Sequence, residues 1–309
     1  MAILRNRCTP VLRTLGIAAI LALPGVALAQ VGSGQSSTEC CWRECLAGLV
    51  VTGTYRLPGD EAFCCVDVRR GGELYTEGHT LKVTCAGGLT VDGILHVDGS
   101  GGKLELVAAS TGANAHTIDG TIEIASGALI DVQKSTDFEG TGQIVGQGSA
   151  AKIQIAAGNF KLTNELATAG EGIRGQLQIV KASGLGANPT FMNKGIVEAR
   201  GGTLEFTSAV ALSDSSAAEF RVDNSGTLKF SRSATSLAGD FIVVSGEIDF
   251  VQSVTTSGAL DYTDLNTITI ASSKAFQYGS YAAGSDCDDL HDTTSDDDFI
   301  INTTKNACP

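Results

Sequence analysis

The stretch Phe191–Phe206, FMNKGIVEARGGTLEF, constrains the chain most, because it recurs. A polar turn, Asn193-Lys194-Gly195, leads into a short strand, Ile196-Val197-Glu198-Ala199. A second break, Arg200-Gly201-Gly202, leads into another, Thr203-Leu204-Glu205-Phe206. Degenerate copies are Val91-Asp92-Gly93-Ile94-Leu95-His96-Val97, Ile118-Asp119-Gly120-Thr121-Ile122-Glu123-Ile124, Val222-Asp223-Asn224-Ser225-Gly226-Thr227-Leu228-Lys229-Phe230 and Val243-Val244-Ser245-Gly246-Glu247-Ile248-Asp249-Phe250. Apolar and polar residues alternate within each copy, the mark of strands with one face buried and one wet. The same pattern predicts strands over Leu104–Val107, Leu129–Val132, Lys152–Ile155, Leu177–Val180, Glu219–Val222, Phe241–Val244 and Thr267–Ile270, with almost no helical periodicity from 87 to 270.

Two all-β architectures compete. A sandwich or barrel needs hairpins and two facing sheets. A parallel β-helix needs only self-similarity at a coil period. The recurrent G-x-h-x-h after a polar corner favours the β-helix. Gly175 to Gly195 and Gly226 to Gly246 are each 20 residues, and Gly195 to Gly226 is 31. One coil is therefore expected to carry a loop near Ala211–Ala218. Roughly eight coils at about 4.8 Å each give a rod on the order of 40 Å long. Glycine and asparagine at the corners supply positive φ. Only 5 prolines occur in the chain, so ladders are seldom interrupted.

The segments Asn193–Phe206 and Asn224–Phe230 resemble the degenerate repeats of bacterial right-handed β-helical surface proteins, the autotransporter-passenger and filamentous-haemagglutinin-like class. The resemblance covers residues 87–270. It implies a single-stranded right-handed parallel β-helix, with structural, adhesive or enzymatic roles all known on that fold. No C-terminal outer-membrane barrel follows in this sequence, so self-secretion through an attached barrel is not expected.

The flanks read differently. Residues 1–29 form a secretory leader: Arg5, Arg7 and Arg13 are basic, Leu15–Leu23 is apolar, and Ala27-Leu28-Ala29 is a cleavage site before Gln30. No later segment is apolar and long enough to span a bilayer. Without the leader, 18 Lys and Arg face 34 Asp and Glu, a formal charge of −16. Nucleic acid is a poor partner for such a chain, because phosphate neutralisation needs cations. Eight cysteines remain: Cys40, Cys41, Cys45, Cys64, Cys65, Cys85, Cys287 and Cys308. An even count in an exported chain predicts disulfides, and the spacings do not suit zinc. Gln30–Glu39 reads as a disordered lead-in, and 30–86 as a Cys-rich N-terminal cap in which Trp42 sits under the disulfides. Such a cap would cover the open edge of a strand stack. Residues 271–309 read as an acidic C-terminal cap closed by a Cys287–Cys308 bridge. Asp286, Asp288, Asp289 and Asp292 there form a solvated surface or a calcium site, since calcium takes oxygen ligands. No other cofactor is expected.

Chemistry is sparse. G-x-S-x-G, H-E-x-x-H and the Walker loop are missing. Gly170-Glu171-Gly172-Ile173-Arg174-Gly175 matches G-x-G-x-x-G, but a strand follows where dinucleotide binding needs a helix, so it reads as a coil corner. His79, His96, His116 and His291 are scattered. Glu205, Asp223, Glu247 and Asp249 lie on neighbouring coils, where a polysaccharide lyase or glycoside hydrolase would carry its acid and base. Alternating acids on a wet face also occur with no catalytic role. The expectation is an exported structural or adhesive solenoid of the bacterial cell surface or matrix, contacting an extracellular polymer such as a polysaccharide. The alternatives are a carbohydrate-active enzyme and a subunit of a self-associating surface assembly.

Overall fold

The computed structural model describes residues 30–32, 48–167, 172–262, 267–271, 274, 276–278, 280–281 and 300–302. It is a parallel β-solenoid of about nine turns. The one helical segment among the described residues is a 3-10 turn at Gly112–Asn114. Each coil contributes three short strands, and each strand pairs in parallel with its counterpart one coil on. Face A starts at Gly48–Val51 and continues through Val66–Val68 and Leu89–Val91 to Ala211–Asp214. Face B starts at Thr54–Arg56 and face C at Glu61–Phe63. In the middle coils, Gln143–Ile155, Gly172–Lys181 and Ile196–Phe206 run round the corner from B to C as single bent strands. Register shifts mark the bends in the first two, between Gln147 and Lys152 and between Gly175 and Leu177.

The core follows from the alternation. The inward column of face C reads Leu81, Leu104, Ile130, Ile153, Ile179, Phe206, Phe230, Phe250, Ile270. That of face B reads Leu74, Leu95, Ile122, Ile144, Ile173, Val197, Phe220, Phe241, Leu260. All are buried. Like therefore stacks on like: each column starts aliphatic, turns to phenylalanine at Phe206 on face C and Phe220 on face B, and ends on Ile270 and Leu260. Phe206, Phe230 and Phe250 stack with centroids 5.3 Å apart at each step, inside the range where aromatic pairs add to burial.

The corner from A to B explains the G-x-h-x-h pattern. Gly72, Gly93, Gly120 and Gly142 lie one above another, and Gly195, Gly239 and Gly258 occupy the same corner further on. A Cβ on Gly93, Gly120 or Gly142 would strike the carbonyl oxygen of the glycine one coil before it. None of these residues has positive φ, so close approach, not backbone freedom, selects glycine here.

The predicted strands between Leu104 and Ile270 all fall on the ladders, to within a residue at either end. Three expectations change. The copies read as one repeat are two different corners: Val91–Val97 and Ile118–Ile124 span A to B, whereas Val222–Phe230 and Val243–Phe250 span B to C. Gly226 does pair with Gly246, but Gly175 pairs with Gly146 and Ala199 rather than Gly195. The 31-residue interval thus crosses between corners. Ala211–Asp214 is no inserted loop but a face A strand paired with Thr190–Asn193. Finally, Gln30–Gly32, read as disordered, is a strand antiparallel to Gly48–Val51.

The ladders run unbroken through residue 87, so Gly48–Val83 already forms coils of the solenoid. Cys64 and Cys85 form a disulfide between the C-to-A corners of the first two coils, with Cα atoms 4.8 Å apart. That separation is one coil step. Cys65 is also disulfide-bonded. Cys40, Cys41, Cys45, Cys287, Cys308 and Trp42 lie outside the described residues.

The glycine column gives a direct expectation. Gly120→Ala should lower stability by about 1–3 kcal/mol through overpacking. Gly59→Ala, with nothing within 4 Å of the new Cβ, should stay within about 0.5 kcal/mol. Denaturant midpoints measure both, and equal midpoints would contradict the stacked corner.

Candidate functional site

The outward positions of face C carry the acids expected to do chemistry. Stacking brings Glu205, Lys229 and Asp249 into one column, with Glu247 beside it. Glu205 accepts from Gln178 Nε2 at 3.2 Å and Ser231 Oγ at 2.7 Å. Lys229 Nζ lies 3.1 Å from Asp249. That hydrogen bond is the main reason the Lys229 ammonium is held above its ordinary pKa. Glu247 accepts from Thr269 Oγ1 at 2.6 Å. Asp223, at the B-to-C corner, accepts from the Asn224 amide at 2.7 Å and Ser245 Oγ at 3.2 Å. Glu205 and Asp249 are thus two coil steps apart, roughly 10 Å at the backbone, with an ammonium between them.

The N-terminal coils repeat the arrangement. Lys82 and Lys103 each lie 3.4 Å from Glu105, and Lys103 is also 3.4 Å from Asp131. Asp131 is buried and accepts from Gln133 at 2.8 Å and Gln154 at 3.2 Å. Each of these carboxylates is thus held by partners on its own or the next coil.

Two columns were not legible as sites. On face B, Arg56 sits 4.3 Å over the Tyr75 ring, Tyr75 stacks on His96 at 4.1 Å, and His96 Nδ1 lies 2.9 Å from Glu123. Both faces of Tyr75 are covered, so only its edge meets solvent. At the end of face A, Asn164 Nδ2 donates to Asn193 Oδ1 and to Ile196 O, both at 2.9 Å. Asp214 follows in register and accepts from the Ala238 and Gly239 amides at 2.7 and 2.9 Å. Burial raises the Asp214 pKa, and the two amides oppose it. The signal was a polar residue before each A-to-B corner, recognisable only once the coils are in register.

The corner glycines leave a shallow groove of about 290 Å3, lined by Gly71, Gly72, Glu73, Asp92, Gly93, Ile94, Gly120 and Thr121. It contains two carboxylates, Glu73 and Asp92, and the Thr121 hydroxyl, and Glu73 accepts from the Tyr75 hydroxyl at 2.9 Å. Among the described residues, no group of three His, Cys, Asp or Glu side chains is arranged to hold a metal. Asp286, Asp288, Asp289, Asp292 and His291 lie outside those residues. Gly172 opens a strand, and it and Gly175 have φ of 103° and 92°. No family model, no curated protein and no solved structure matches the chain.

Among the described residues, His116 is the one deeply buried histidine. Its Nδ1 accepts from the Leu89 amide at 3.3 Å, its ring tilts against Phe138, and its Nε2 has no partner. An accepting Nδ1 places the proton on Nε2, so the ring is neutral. Burial lowers its pKa to about 4. The unfolded chain protonates near pH 6.5 and the folded one only near 4. Stability is therefore full above about 6.5 and falls with acid between those values. The loss amounts to about 3 kcal/mol. His116→Phe should flatten this part of the stability profile. An unchanged slope in denaturant titrations at pH 7, 5.5 and 4.5 would show that His116 is not its source.

Proposed function

We propose that the protein is an exported, non-catalytic solenoid that serves a structural or adhesive role at a bacterial cell surface or in its matrix. The observation that carries this reading is the outer face itself. Glu205, Asp223, Glu247 and Asp249 are all held by neighbouring coils. A general acid or base needs a carboxyl free to exchange its proton with substrate. A long, flat, repetitive surface suits contact with a repeating polymer such as a polysaccharide.

Several finer features belong to the same proposal. The winding is right-handed, as strand–crossover–strand connections are in about 98% of cases. The leader directs export through the general secretory pathway, and eight cysteines suit an oxidising destination. The residues before Gly48, with Cys40, Cys41 and Cys45, and the acidic C-terminal segment cap the stack. Kinship lies with autotransporter-passenger and haemagglutinin-like repeats, whose corners resemble Asn193–Phe206. Calcium enters through Asp286, Asp288, Asp289 and Asp292, in the acid-rich stretch 286–298.

The test is to incubate oxidised protein spanning 30–309 with acidic and neutral polysaccharides, with and without calcium. New reducing ends, unsaturated products and bound polymer are followed together. The proposal expects saturable binding without turnover. Turnover that disappears in Glu205→Ala or Asp249→Ala would replace it with the carbohydrate-active enzyme.

A further inference from the structure

A stack of strands has bare edges, and bare edges pair with other chains. The three edges at the start of this solenoid differ in chemistry. The face B edge is Thr54–Arg56 and the face C edge Glu61–Phe63, with Pro58 and Asp60 between them. Charge and proline are the usual means of blunting an edge. The face A edge is Gly48-Leu49-Val50-Val51, uncharged and β-branched, with the alternating burial of a regular strand. Nothing in its own sequence discourages pairing.

That is the edge covered by Gln30–Gly32. Gln30 lies opposite Val50, Val31 opposite Leu49 and Gly32 opposite Gly48. It is the antiparallel pair in ladders that are otherwise parallel among the described residues. The Leu49 amide is used by Cys65 O of the next coil, at 2.9 Å. The amides of Gly48 and Val50 therefore point the other way, toward Gln30–Gly32. The covering strand also begins at the residue that follows the Ala27-Leu28-Ala29 motif.

We propose that Gln30–Gly32 is the closing strand of the solenoid, that it becomes the chain's N-terminus when the leader is removed, and that it keeps the protein monomeric by occupying an edge that otherwise takes a second copy of this chain. Only the link to processing rests on the exported reading; the closing role rests on the pairing.

The experiment uses the exported, oxidised protein. Intact mass gives the start residue. Gly32→Pro removes a donor from the pair, and a second variant lacks Gln30–Gly32. Sedimentation velocity over a hundredfold range of concentration reads association, and amide exchange at Gly48 and Val50 reads the pairing. Circular dichroism reports the fold. The expected result is a start at Gln30, a monomeric parent with both amides protected, and variants with native spectra that lose this protection and associate as concentration rises. Adding Val50→Lys to the deletion should restore the monomer. Natively folded variants that stay monomeric would overturn the closing role, as would a parent with both amides unprotected. A start elsewhere, with the variants still associating, would overturn the link to processing alone.

Discussion

Everything in this structure depends on parallel, in-register stacking. A residue's nearest neighbour along the axis is its counterpart about 4.8 Å away in the next coil. Whatever a position carries, it meets again. Glycine over glycine closes the A-to-B corner, phenylalanine over phenylalanine fills the later core, and asparagine over asparagine satisfies the amides of face A. Like charges in register repel, and the outer face offsets them: a lysine separates Glu205 from Asp249, and where Glu105 stacks on Asp131, Lys103 lies 3.4 Å from both. Glu205, Lys229 and Asp249 follow one another in a column, as do Lys82, Glu105, Asp131 and Gln154.

The same constraint shapes the surface chemistry. Side chains that pair between coils link each coil to its neighbours. Pairs such as Lys82 with Glu105, partly open to water, contribute little each. Asp131 differs, being buried and held by Lys103, Gln133 and Gln154, so removing one donor would leave a desolvated charge. The surface that results is repetitive and polar, and the groove at the corner exists because glycines have no side chains to fill it.

Sequence alone carried the faces whose alternation is clean. The strands read on faces B and C, such as Leu104-Glu105-Leu106 and Ile122-Glu123-Ile124, were legible to within a residue, although the face B strands at Gln143, Gly172 and Ala259 were not read. Face A was not. Its inward positions include His116, Asn164 and Asn193, all buried, so the apolar period breaks where the strand continues. Asn193, read as the start of a turn, instead ends the strand Thr190–Asn193, because its side chain serves the next corner. Unequal coils compounded this: register partners are 17 residues apart from Leu49 to Val66 and 29 from Lys161 to Thr190. Glycine spacing therefore mixed two corners. The outer acids were found by residue type, but most of their side-chain partners, such as Ser231 for Glu205 and Thr269 for Glu247, lie more than 20 residues away in sequence, beyond any local pattern.

The central claim is the register, and methyl nuclear Overhauser contacts in protein labelled at Ile, Leu and Val test it most directly. The account predicts a continuous chain of contacts through Leu81, Leu104, Ile130, Ile153 and Ile179, and a second through Leu95, Ile122, Ile144, Ile173 and Val197. Absence of the Ile130–Ile153 and Ile122–Ile144 contacts, with contacts instead tracing antiparallel hairpins between successive strands, would contradict it.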